Sequence, residues 1–406
     1  MIVYLWKTFI RGVNLMNNKR VYMDYAATTY VKPNVLKEML PYFTEKFANP
    51  SSLYSFSDET KQAIISAREK IAAAINADKS EIYFTSGGSE SDNWAIKGIG
   101  SAYKSKGNHI ITTKIEHHAI INTCKYLEKN GFQVTYLPVD DKGFIKMEDL
   151  KSAITSKTIL VSIMFANNEI GTMEPIKEIG ELCREKGIIF HTDAVQAAGH
   201  VKIDVEDMNI DLLSMSAHKF YGPKGIGVLY VRRGVKLENL IHGGAQERGK
   251  RASTENIASI VGIGKAIEIA TEELNTELHR LKGLNEKLTK GIIERIPDAK
   301  INGSTGNKRL PGNVNVSFSG VEGEALLLDL DSCGIYASTG SACASGSMEP
   351  SHVLLAIGLS PKAAHGSLRL TMGAGTTEAD VDYVIEKLPT IVKRIREISP
   401  QLKIQH

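Results

Sequence analysis

The chain has 406 residues, of which 42% are hydrophobic and 23% are charged, and its formal net charge is +3. This length allows more than one hydrophobic core, and the near-balanced charge excludes a basic nucleic-acid arm and an acidic tail. The four cysteines are too few for a disulfide framework and lack the Cys/His spacing of a zinc site, which favours a reducing, cytoplasmic setting without a bound metal.

The first fifteen residues contain a short apolar run, Ile2 to Trp6, which is followed by Lys7 and Arg11. The run is too short for the core of a signal peptide or for a membrane span, so no membrane association is expected. Met16 opens a more conventional start. We therefore interpret residues 1–15 as an extension or a mis-called start.

Between about residue 60 and residue 275, helical patterns alternate with short apolar runs that do not alternate with polar residues. Such runs are typical of strands that are buried on both faces of a sheet. They are EIYFTS, NHIITT, FQVTYLPV, TILVSIMFA, GIIFHTDA, IDLLSMSA and GIGVLYV. The pattern predicts an α/β fold in which a large domain, residues 29–274, has a mostly parallel central sheet flanked by helices.

After about residue 258 the pattern changes to a long helical stretch that continues through Arg295. NVNVSF, EALLLDL and SLRLTM follow, and the capping pattern Thr377-x-x-Asp380 predicts a last helix. We interpret residues 17–28 and 275–406 as a smaller α+β domain. Its segment Ser338–Ser351, rich in glycine and serine, is predicted to be a mobile loop.

Polar residues cluster directly after several of the predicted strands. In an open parallel sheet, ligands bind beyond the carboxyl ends of the strands. The segments at these ends are Ser86–Glu90, Glu116–His118, Asn167–Glu169, Asp193–Gln196 and Ser216–Lys219. This edge of the sheet is therefore the candidate site.

Lys219 follows a predicted strand in a polar turn that ends in the glycine-rich sequence GPKGIG. A lysine held in such a turn can be desolvated, which lowers its pKa and allows the neutral amine to form a Schiff base with an aldehyde. An isolated loop lysine is more often simply solvated, so its neighbours decide between the two interpretations.

The neighbouring strand ends suit pyridoxal phosphate (PLP), which has an aldehyde, a pyridine nitrogen and a phosphate. Asp193 can keep the pyridine nitrogen protonated and Gln196 can donate to the ring hydroxyl, although Asp193 can equally cap a helix. His117 can stack on the ring and move protons near neutral pH. Asn168 can contact the cofactor oxygen or a substrate carboxylate, or be a turn residue.

The sequence FTSGGSESDNW predicts a strand followed by a helix that begins at its glycines. Free backbone N–H groups and the helix dipole favour a phosphate at such a helix start, although many turns of this kind bind no ligand. No GxxxxGK[ST] sequence occurs, so this is not a nucleotide-binding P-loop.

Several motifs, in this order and spacing, resemble the bacterial NifS/IscS group of cysteine desulfurases, a fold-type I PLP family. They are DYAATT, NPSS, FTSGGSESDN, IEHHAI, FANNEIG, HTDAVQ, SAHKFYGPKGIG, HGGAQERGKRAST and STGSACASGSMEPSHVLLAIG. The match extends from about Val21 to the final helix. Ser89 stands where the family usually has threonine, and this change keeps a hydroxyl.

The resemblance implies PLP as cofactor and L-cysteine as substrate, with L-alanine as product and the sulfur passing to Cys343 as a persulfide. Lys219 matches the Schiff-base lysine, Asp193 the partner of the ring nitrogen, Gln196 the partner of the ring hydroxyl, and His117 the stacking acid/base. The implied sulfur acceptors are proteins such as an iron–sulfur scaffold, or enzymes of tRNA thiolation.

The resemblance also assigns contacts to the phosphate and to the substrate. The residues that match the phosphate site are Gly88, Ser89, Ser216 and His218. Asn168 and Arg369 match contacts to the substrate carboxylate, and a guanidinium suits a carboxylate because it can bind both oxygens. Thr254 matches a residue that reaches the phosphate from a second subunit, which implies a homodimer.

Two other functions remain open at the level of sequence. An aminotransferase or a selenocysteine lyase can share Lys219 and Asp193, but neither would need Cys343 in its loop. A protein with this fold that only binds partners would be expected to lack Lys219, Asp193 or Cys343, and all three are present.

Overall fold

The computed structural model describes residues 19–339 and 350–398. The helices in these residues are α1 Pro33–Met39, α2 Pro41–Thr44, α3 Asp58–Ala74, α4 Gly88–Ala102, α5 His118–Lys129, α6 Met147–Ala153, α7 Ile176–Lys186, α8 Gln246–Gly249, α9 Ile257–Arg295, α10 Gly323–Ser332, α11 His352–Ala356, α12 Pro361–His365 and α13 Glu378–Ile398. The strands are β1 Val21–Tyr22, β2 Ile82–Thr85, β3 His109–Thr113, β4 Gln133–Leu137, β5 Thr158–Ser162, β6 Ile189–Asp193, β7 Leu212–Ser216, β8 Gly227–Val231, β9 Ala299–Ile301, β10 Asn313–Phe318, β11 Ile335–Tyr336 and β12 Ser367–Thr371.

The seven apolar runs of the sequence form one central sheet, with the strand order β2-β8-β7-β6-β5-β3-β4 in the described part of the chain. β4, β3, β5, β6 and β7 pair in parallel, whereas β8 is antiparallel to both β7 and β2. Every residue of β3, β5, β7 and β8 is buried. The predicted α/β fold with a mostly parallel sheet is therefore confirmed.

The largest hydrophobic core lies between this sheet and the helices on one of its faces. It includes Ile64 and Ile71 of α3 and Ile260 and Ile267 of α9, which pack with sheet residues such as Val228. A second cluster, built around Trp94 and Ile99 of α4, covers other side chains of the sheet. Apolar side chains on both faces explain why the strands show no alternation of apolar and polar residues.

The C-terminal part of the chain forms a separate core around an antiparallel sheet of order β12-β10-β9. EALLLDL lies in helix α10, and the predicted last helix is α13. Thr377 and Asp380 form a capping box, because the Asp380 N–H donates to Thr377 Oγ1 (3.2 Å) and the Thr377 N–H donates to Asp380 Oδ2 (2.9 Å).

The helix α9 is continuous across the predicted domain boundary between residues 274 and 275. Ile269 packs in the core of the central sheet, and Leu281 packs in the C-terminal core. Val21 and Met23 also belong to the C-terminal core. The assignment of residues 29–274 to one domain and of 17–28 with 275–406 to another stays a prediction.

The segment from Asp24 to Thr29 lies between the two cores. The Tyr25 N–H donates to the Thr371 carbonyl (3.3 Å), and the Thr29 N–H donates to the His218 carbonyl (2.9 Å). The segment thereby links β12 to the turn that carries Lys219. Separately, no helix among the described residues is long and apolar enough to cross a membrane.

Candidate active site

Several of the predicted site residues meet at the carboxyl edge of the central sheet. Asp193 is the last residue of β6, and Ser216 is the last residue of β7. Lys219 lies in the short turn after β7, and α4 begins at Gly88, three residues after β2 ends. Parallel strands thus bring together residues that are far apart in the chain.

Two backbone carbonyls fix the amine of Lys219. Its Nζ donates to the carbonyl of Ala26 (2.6 Å) and to that of Ala27 (2.8 Å). The Gln196 side-chain amide donates to the same Ala26 carbonyl (3.0 Å), and the Ala26 N–H donates to Thr371 Oγ1 (2.9 Å). The lysine and the glutamine predicted to contact the cofactor therefore converge on one anchored segment.

An imidazole and two carboxyl groups form a compact buried cluster beside this lysine. The ligand atoms of His117, Asp92 and Asp193 lie within 4.8 Å of one another. Burial raises the pKa of Asp193, whereas the neighbouring His117 and Lys219 lower it. Imidazole and carboxylate groups are common metal ligands. The positive charge of Lys219 beside them would, however, repel a metal ion.

His117 is held at the start of α5 in one tautomer. Its Nδ1 accepts from the Ala119 N–H (3.1 Å), so the proton of the neutral ring lies on Nε2. Burial lowers the pKa of His117, and Lys219 lowers it further, whereas Asp193 raises it. The ring is therefore a neutral imidazole near pH 7, with a fixed N–H that can donate a proton.

Asp92 is the member of this cluster that lies on the buried face of α4. Burial raises its pKa well above the usual value, and the nearby Asp193 raises it further. His191, 3.8 Å from Asp92, bonds to Ser162 Oγ (2.9 Å) and Ser214 Oγ (3.0 Å), and burial lowers its pKa to about 3. With a neutral histidine beside it, Asp92 is the member of the acidic pair that keeps its proton, which leaves the negative charge on Asp193.

The start of α4 is closely packed against the loop after β6. A Cβ added to Gly88 would lie 2.6 Å from Val195 Cγ2, so any larger residue there would force Val195 to move. Ser216 is buried beside this helix start, His218 is partly buried, and Ser89 is exposed. His218 Nδ1 pairs with Thr28 Oγ1 (3.1 Å), and burial, aided by the charges of Lys219 and Lys224, lowers the pKa of His218 to about 4.

Arg369 provides a buried guanidinium on the other side of the Asp24–Thr29 segment. It donates to Asp24 Oδ1 (2.8 Å) and to the backbone carbonyl of Asn168 (3.3 Å). Its Nε is buried and has no hydrogen-bond partner among the described residues. Burial raises the pKa of Asp24, whereas Arg369 and Lys219 lower it. The predicted carboxylate contacts Arg369 and Asn168 are thus adjacent.

Thr254 is not part of this cluster. Thr254 is exposed in the loop between α8 and α9. One ion pair fixes α8 to α3, and a second fixes the loop to α4. Glu247 makes two bonds of 2.8 Å with Arg68, and Arg251 bonds Glu90 at 2.8 and 3.0 Å. Cys343, in contrast, lies outside the described residues, as does most of the Ser338–Ser351 segment.

Sequence patterns did not assign roles to three contributors to the site. Asp24 and the Ala26 carbonyl lie in the DYAATT motif, but no pattern showed that they contact Arg369 and Lys219. Asp92 had a usable signal, because it is an acidic residue on the same helical face as Ala95, Ile96 and Ile99, which are buried.

Comparison with known proteins identifies the family of this chain. The aminotransferase class-V family profile matches residues 21–384. Cysteine desulfurase IscS of Clostridium botulinum is 69% identical over 384 residues, which cover 94% of this chain and 97% of that protein. The IscS of Methanosarcina thermophila is 57% identical, and the match covers 94% of each chain. The chain belongs to the cysteine desulfurase family.

Solved structures agree with this membership. A structure described as a NifS-like protein superposes with a TM-score of 0.85 at 40% identity and covers 94% of this chain and 99% of its own. A structure described as SspA in complex with cysteine superposes with a TM-score of 0.77 at 41% identity, covering 87% of this chain and 98% of that one. The fold is that of the fold-type I enzymes, as predicted.

The donor set fits the cofactor that this family implies. An amine, a carboxylate, an imidazole and a helix start with free N–H groups face one edge of the sheet. PLP carries a matching aldehyde, pyridine nitrogen, aromatic ring and phosphate. The individual roles of these residues in this cysteine desulfurase stay predictions.

Proposed function

We propose that this protein is a PLP-dependent cysteine desulfurase, which converts L-cysteine to L-alanine and takes up the sulfur as a persulfide on Cys343. The observation that carries the proposal is the convergence of the Lys219 amine, the Asp193 carboxylate and the His117 imidazole, which act on one another's charge states. The buried guanidinium of Arg369 beside them suits an amino-acid carboxylate.

The cofactor would be held by groups at the sheet edge. Lys219 would bond to its aldehyde, Asp193 would pair with the ring nitrogen, Gln196 would face the ring hydroxyl, and His117 would stack on the ring. The residues proposed for the phosphate are Gly88, Ser89, Ser216 and His218, with Thr254 from a second subunit. When bound, PLP supplies an electron sink that weakens bonds next to the substrate's amino group.

The side chains of this protein bind and orient the substrate and move its protons. Arg369 binds the carboxylate of L-cysteine, and Asn168, whose backbone already holds Arg369, lies beside it. Lys219 needs to lose one proton to act as a base, and the neutral His117 offers its Nε2 proton to a neighbouring atom. Asp193 keeps its negative charge because Asp92 carries the shared proton.

Cys343 acts after the carboxylate and the amino group of the substrate have been fixed. Its thiolate attacks the sulfur of L-cysteine, so that an S–S bond forms while the bond between Cβ and sulfur breaks. The electron pair of the broken bond goes to Cβ, which gains a proton and becomes the methyl group of alanine. The terminal sulfur on Cys343 is then available to an acceptor thiol.

A patch of exposed apolar residues supports the homodimer. Seven large side chains between residues 36 and 56 are exposed, including Leu53 at 100% and Phe47 at 62%. The others are Leu36, Leu40, Phe43, Tyr54 and Phe56. Exposed apolar patches of this kind are typical of protein–protein interfaces, and a second subunit on this patch would also bring a second Thr254 to the complex.

The proposal extends to partners and location. The acceptors are thiol-bearing sulfur-transfer proteins such as an iron–sulfur scaffold, and the enzyme acts in the cytoplasm. Cys124, Cys183 and Cys333 are free thiols in the structure, which agrees with a reducing compartment.

The test is the release of sulfide and alanine from L-cysteine by the PLP-loaded protein. Lys219→Ala should lower turnover by at least ~10²–10⁴-fold, because it removes a proton-transfer group, and should change the visible spectrum of the bound cofactor. Lys219→Arg should not restore it, because a guanidinium stays protonated. Lys224→Ala, which alters an exposed lysine of the same turn, is the matched control. Turnover of Lys219→Ala at the rate of the Lys224→Ala control would refute the proposal.

A further inference from the structure

Glu169 is a buried acid at the junction of three elements, next to the proposed carboxylate site. Its side chain is in contact with Ser351, whose hydroxyl donates to Glu169 Oε2 (2.5 Å). Ser351 Oγ in turn accepts from the Leu354 N–H (3.2 Å) and so caps α11. Glu169 therefore ties the start of α11 to the turn after β5.

The backbone of the same turn is fixed from the C-terminal sheet. The carbonyl of Glu169 accepts from the side-chain amides of Asn313 and Asn315 on β10, both at 3.2 Å. The carbonyl of the preceding residue, Asn168, accepts from Arg369 on β12 (3.3 Å). The Glu169 side chain is thus held one residue away from a direct contact of Arg369.

Ser351 and Arg369 are the neighbouring groups that act on the charge of the Glu169 carboxyl. Ser351, Asn313 and Asn315 are neutral, and Arg369 is the charged side chain that acts on its carboxyl group. Burial raises the pKa of Glu169 to about 7, whereas Ser351 and Arg369 lower it. The carboxyl group is therefore neutral below pH 7 and becomes a buried anion as the pH rises through that value.

We propose that Glu169 is a positioning residue that controls, through its charge, how strongly Arg369 binds the carboxylate of an amino-acid ligand. This inference rests on the proposed function of Arg369. When Glu169 is neutral, the guanidinium is shared between Asp24 and the ligand. When Glu169 is ionised, it attracts the guanidinium and repels the ligand carboxylate, so binding weakens.

The same coupling operates in the reverse direction. A ligand carboxylate beside Arg369 makes ionisation of Glu169 less favourable, because two anions then share one guanidinium. Binding of the ligand must therefore raise the pKa of Glu169. The size of this rise corresponds to the factor by which ionisation of Glu169 weakens ligand binding. This reciprocity separates electrostatic control from a purely structural role of the Glu169–Ser351 bond.

The experiment measures the affinity of the PLP-loaded protein for L-alanine, the proposed product, between pH 6 and pH 8. Wild-type affinity should fall by at least about fivefold as Glu169 ionises, the lower end of the range for coupled sites. In Glu169→Gln the amide can still accept the Ser351 hydroxyl proton but cannot ionise, so this extra fall should disappear. Titration of L-alanine itself is common to all variants.

Glu174→Gln is the matched control. Glu174 is also buried, and burial raises its pKa to about 8. Its carboxylate accepts from the Ile145 N–H, and Asp140 rather than Arg369 is the charged group that acts on it. This variant should keep the wild-type pH dependence. Ser351→Ala removes a hydrogen bond that lowers the pKa of Glu169, so the fall in affinity should move to higher pH. Two histidines could also titrate in this range: His117, and His352, which follows Ser351 in the chain. Burial lowers the pKa of both, and neither residue is changed in these variants.

Infrared spectroscopy provides a readout that does not depend on activity. The spectrum of the wild type minus that of Glu169→Gln should show, at pH 6, the carbonyl band of a protonated carboxylic acid. This band should disappear as the pH rises, and bound L-alanine should move its disappearance to higher pH. A band that is unchanged between pH 6 and pH 8, or a pH dependence of affinity that persists in Glu169→Gln, would overturn the inference. A wild-type protein that releases no sulfide from L-cysteine would contradict the proposed function instead. In that case the infrared band would still show whether Glu169 titrates between pH 6 and pH 8.

Discussion

At the scale of single residues, burial determines which groups in the site carry charge. Asp92, Asp193 and Glu116 are all buried, and desolvation raises the pKa of each. Asp193 differs from the other two because the neighbouring His117 and Lys219 lower its pKa. The environment thereby concentrates one negative charge on the carboxylate proposed to face the cofactor.

This distribution predicts opposite results for two similar substitutions. Asp193→Asn should weaken PLP binding by about 3–5 kcal/mol, because it removes the buried carboxylate that is proposed to pair with the protonated ring nitrogen. Asp92→Asn should cost less than about 1 kcal/mol, because an amide can replace a neutral carboxylic acid and its hydrogen bonds. The measurement is the dissociation constant of PLP for each variant. Equal losses in both would show that Asp92 is ionised.

Cys343 and the cofactor-binding residues should act at separable stages. Cys343→Ser should bind PLP and change its visible spectrum on addition of L-cysteine, yet form no persulfide and almost no alanine, because a hydroxyl is a poor nucleophile without an adjacent base. Mass spectrometry should find one added sulfur atom on the wild-type peptide that contains SACASGSMEPS.

Cys333→Ser is the control for this experiment, since Cys333 is a partly buried free thiol on the C-terminal core. Turnover should survive this change. An added sulfur on Cys333, or full activity of Cys343→Ser, would contradict the proposed sulfur transfer without affecting the assignment of the fold.

At the scale of elements, the start of α4 shows how packing shapes the proposed phosphate site. Gly88 lies against Val195, and Gly227 of β8 lies against Gly87. A Cβ added to Gly88 would lie 2.6 Å from Val195 Cγ2, and one added to Gly227 would lie 2.6 Å from the backbone of Gly87. These contacts bring the N-terminus of α4 close to β8 and to the loop after β6. The free N–H groups of the helix therefore face the same edge as Ser216.

This packing can be tested by a paired substitution. Gly88→Ala should lower the stability by about 1–3 kcal/mol, because the new methyl group overlaps Val195 Cγ2. Val195→Ala removes that methyl group, so Gly88→Ala with Val195→Ala should be more stable than Gly88→Ala alone. Thermal unfolding and PLP content are the measurements. A double variant no more stable than the single one would show that another contact fixes Gly88.

At the scale of the whole molecule, one segment of the chain exposes many apolar side chains. The exposed side chains of residues 36–56 include three phenylalanines and three leucines, which a monomer would leave in water. The buried ion pair of Glu247 with Arg68 also fixes the loop that presents Thr254. A homodimer would cover the apolar patch and use the exposed Thr254.

Phe47→Glu should therefore produce monomers that lose PLP. A glutamate buried in the subunit interface without a partner costs about 3–5 kcal/mol, which is a large share of the energy of an obligate interface. Sedimentation velocity and PLP content at working concentration test this. Ile293→Glu, at another exposed apolar position, is the control. A Phe47→Glu protein that stays dimeric would rule out this patch as the interface, and a monomer with full PLP would rule out a shared cofactor site.

The sequence by itself determined the central sheet, the capping box of α13 and the set of residues at the carboxyl edge. These features are local, because a strand buried on both faces, a helix cap and a strand end each leave a pattern within a few neighbouring residues. The family motifs also identified the type of chemistry before any contact was known.

Only the tertiary structure decided which groups act on one another. Lys219 is anchored by carbonyls of Ala26 and Ala27, and Arg369 pairs with Asp24, in each case across more than 190 residues of chain. A backbone carbonyl has no residue identity that a motif can reveal. The raised pKa of Glu169 and the proton on Asp92 are likewise products of burial, which depends on the packing of all the surrounding elements rather than on their local sequence.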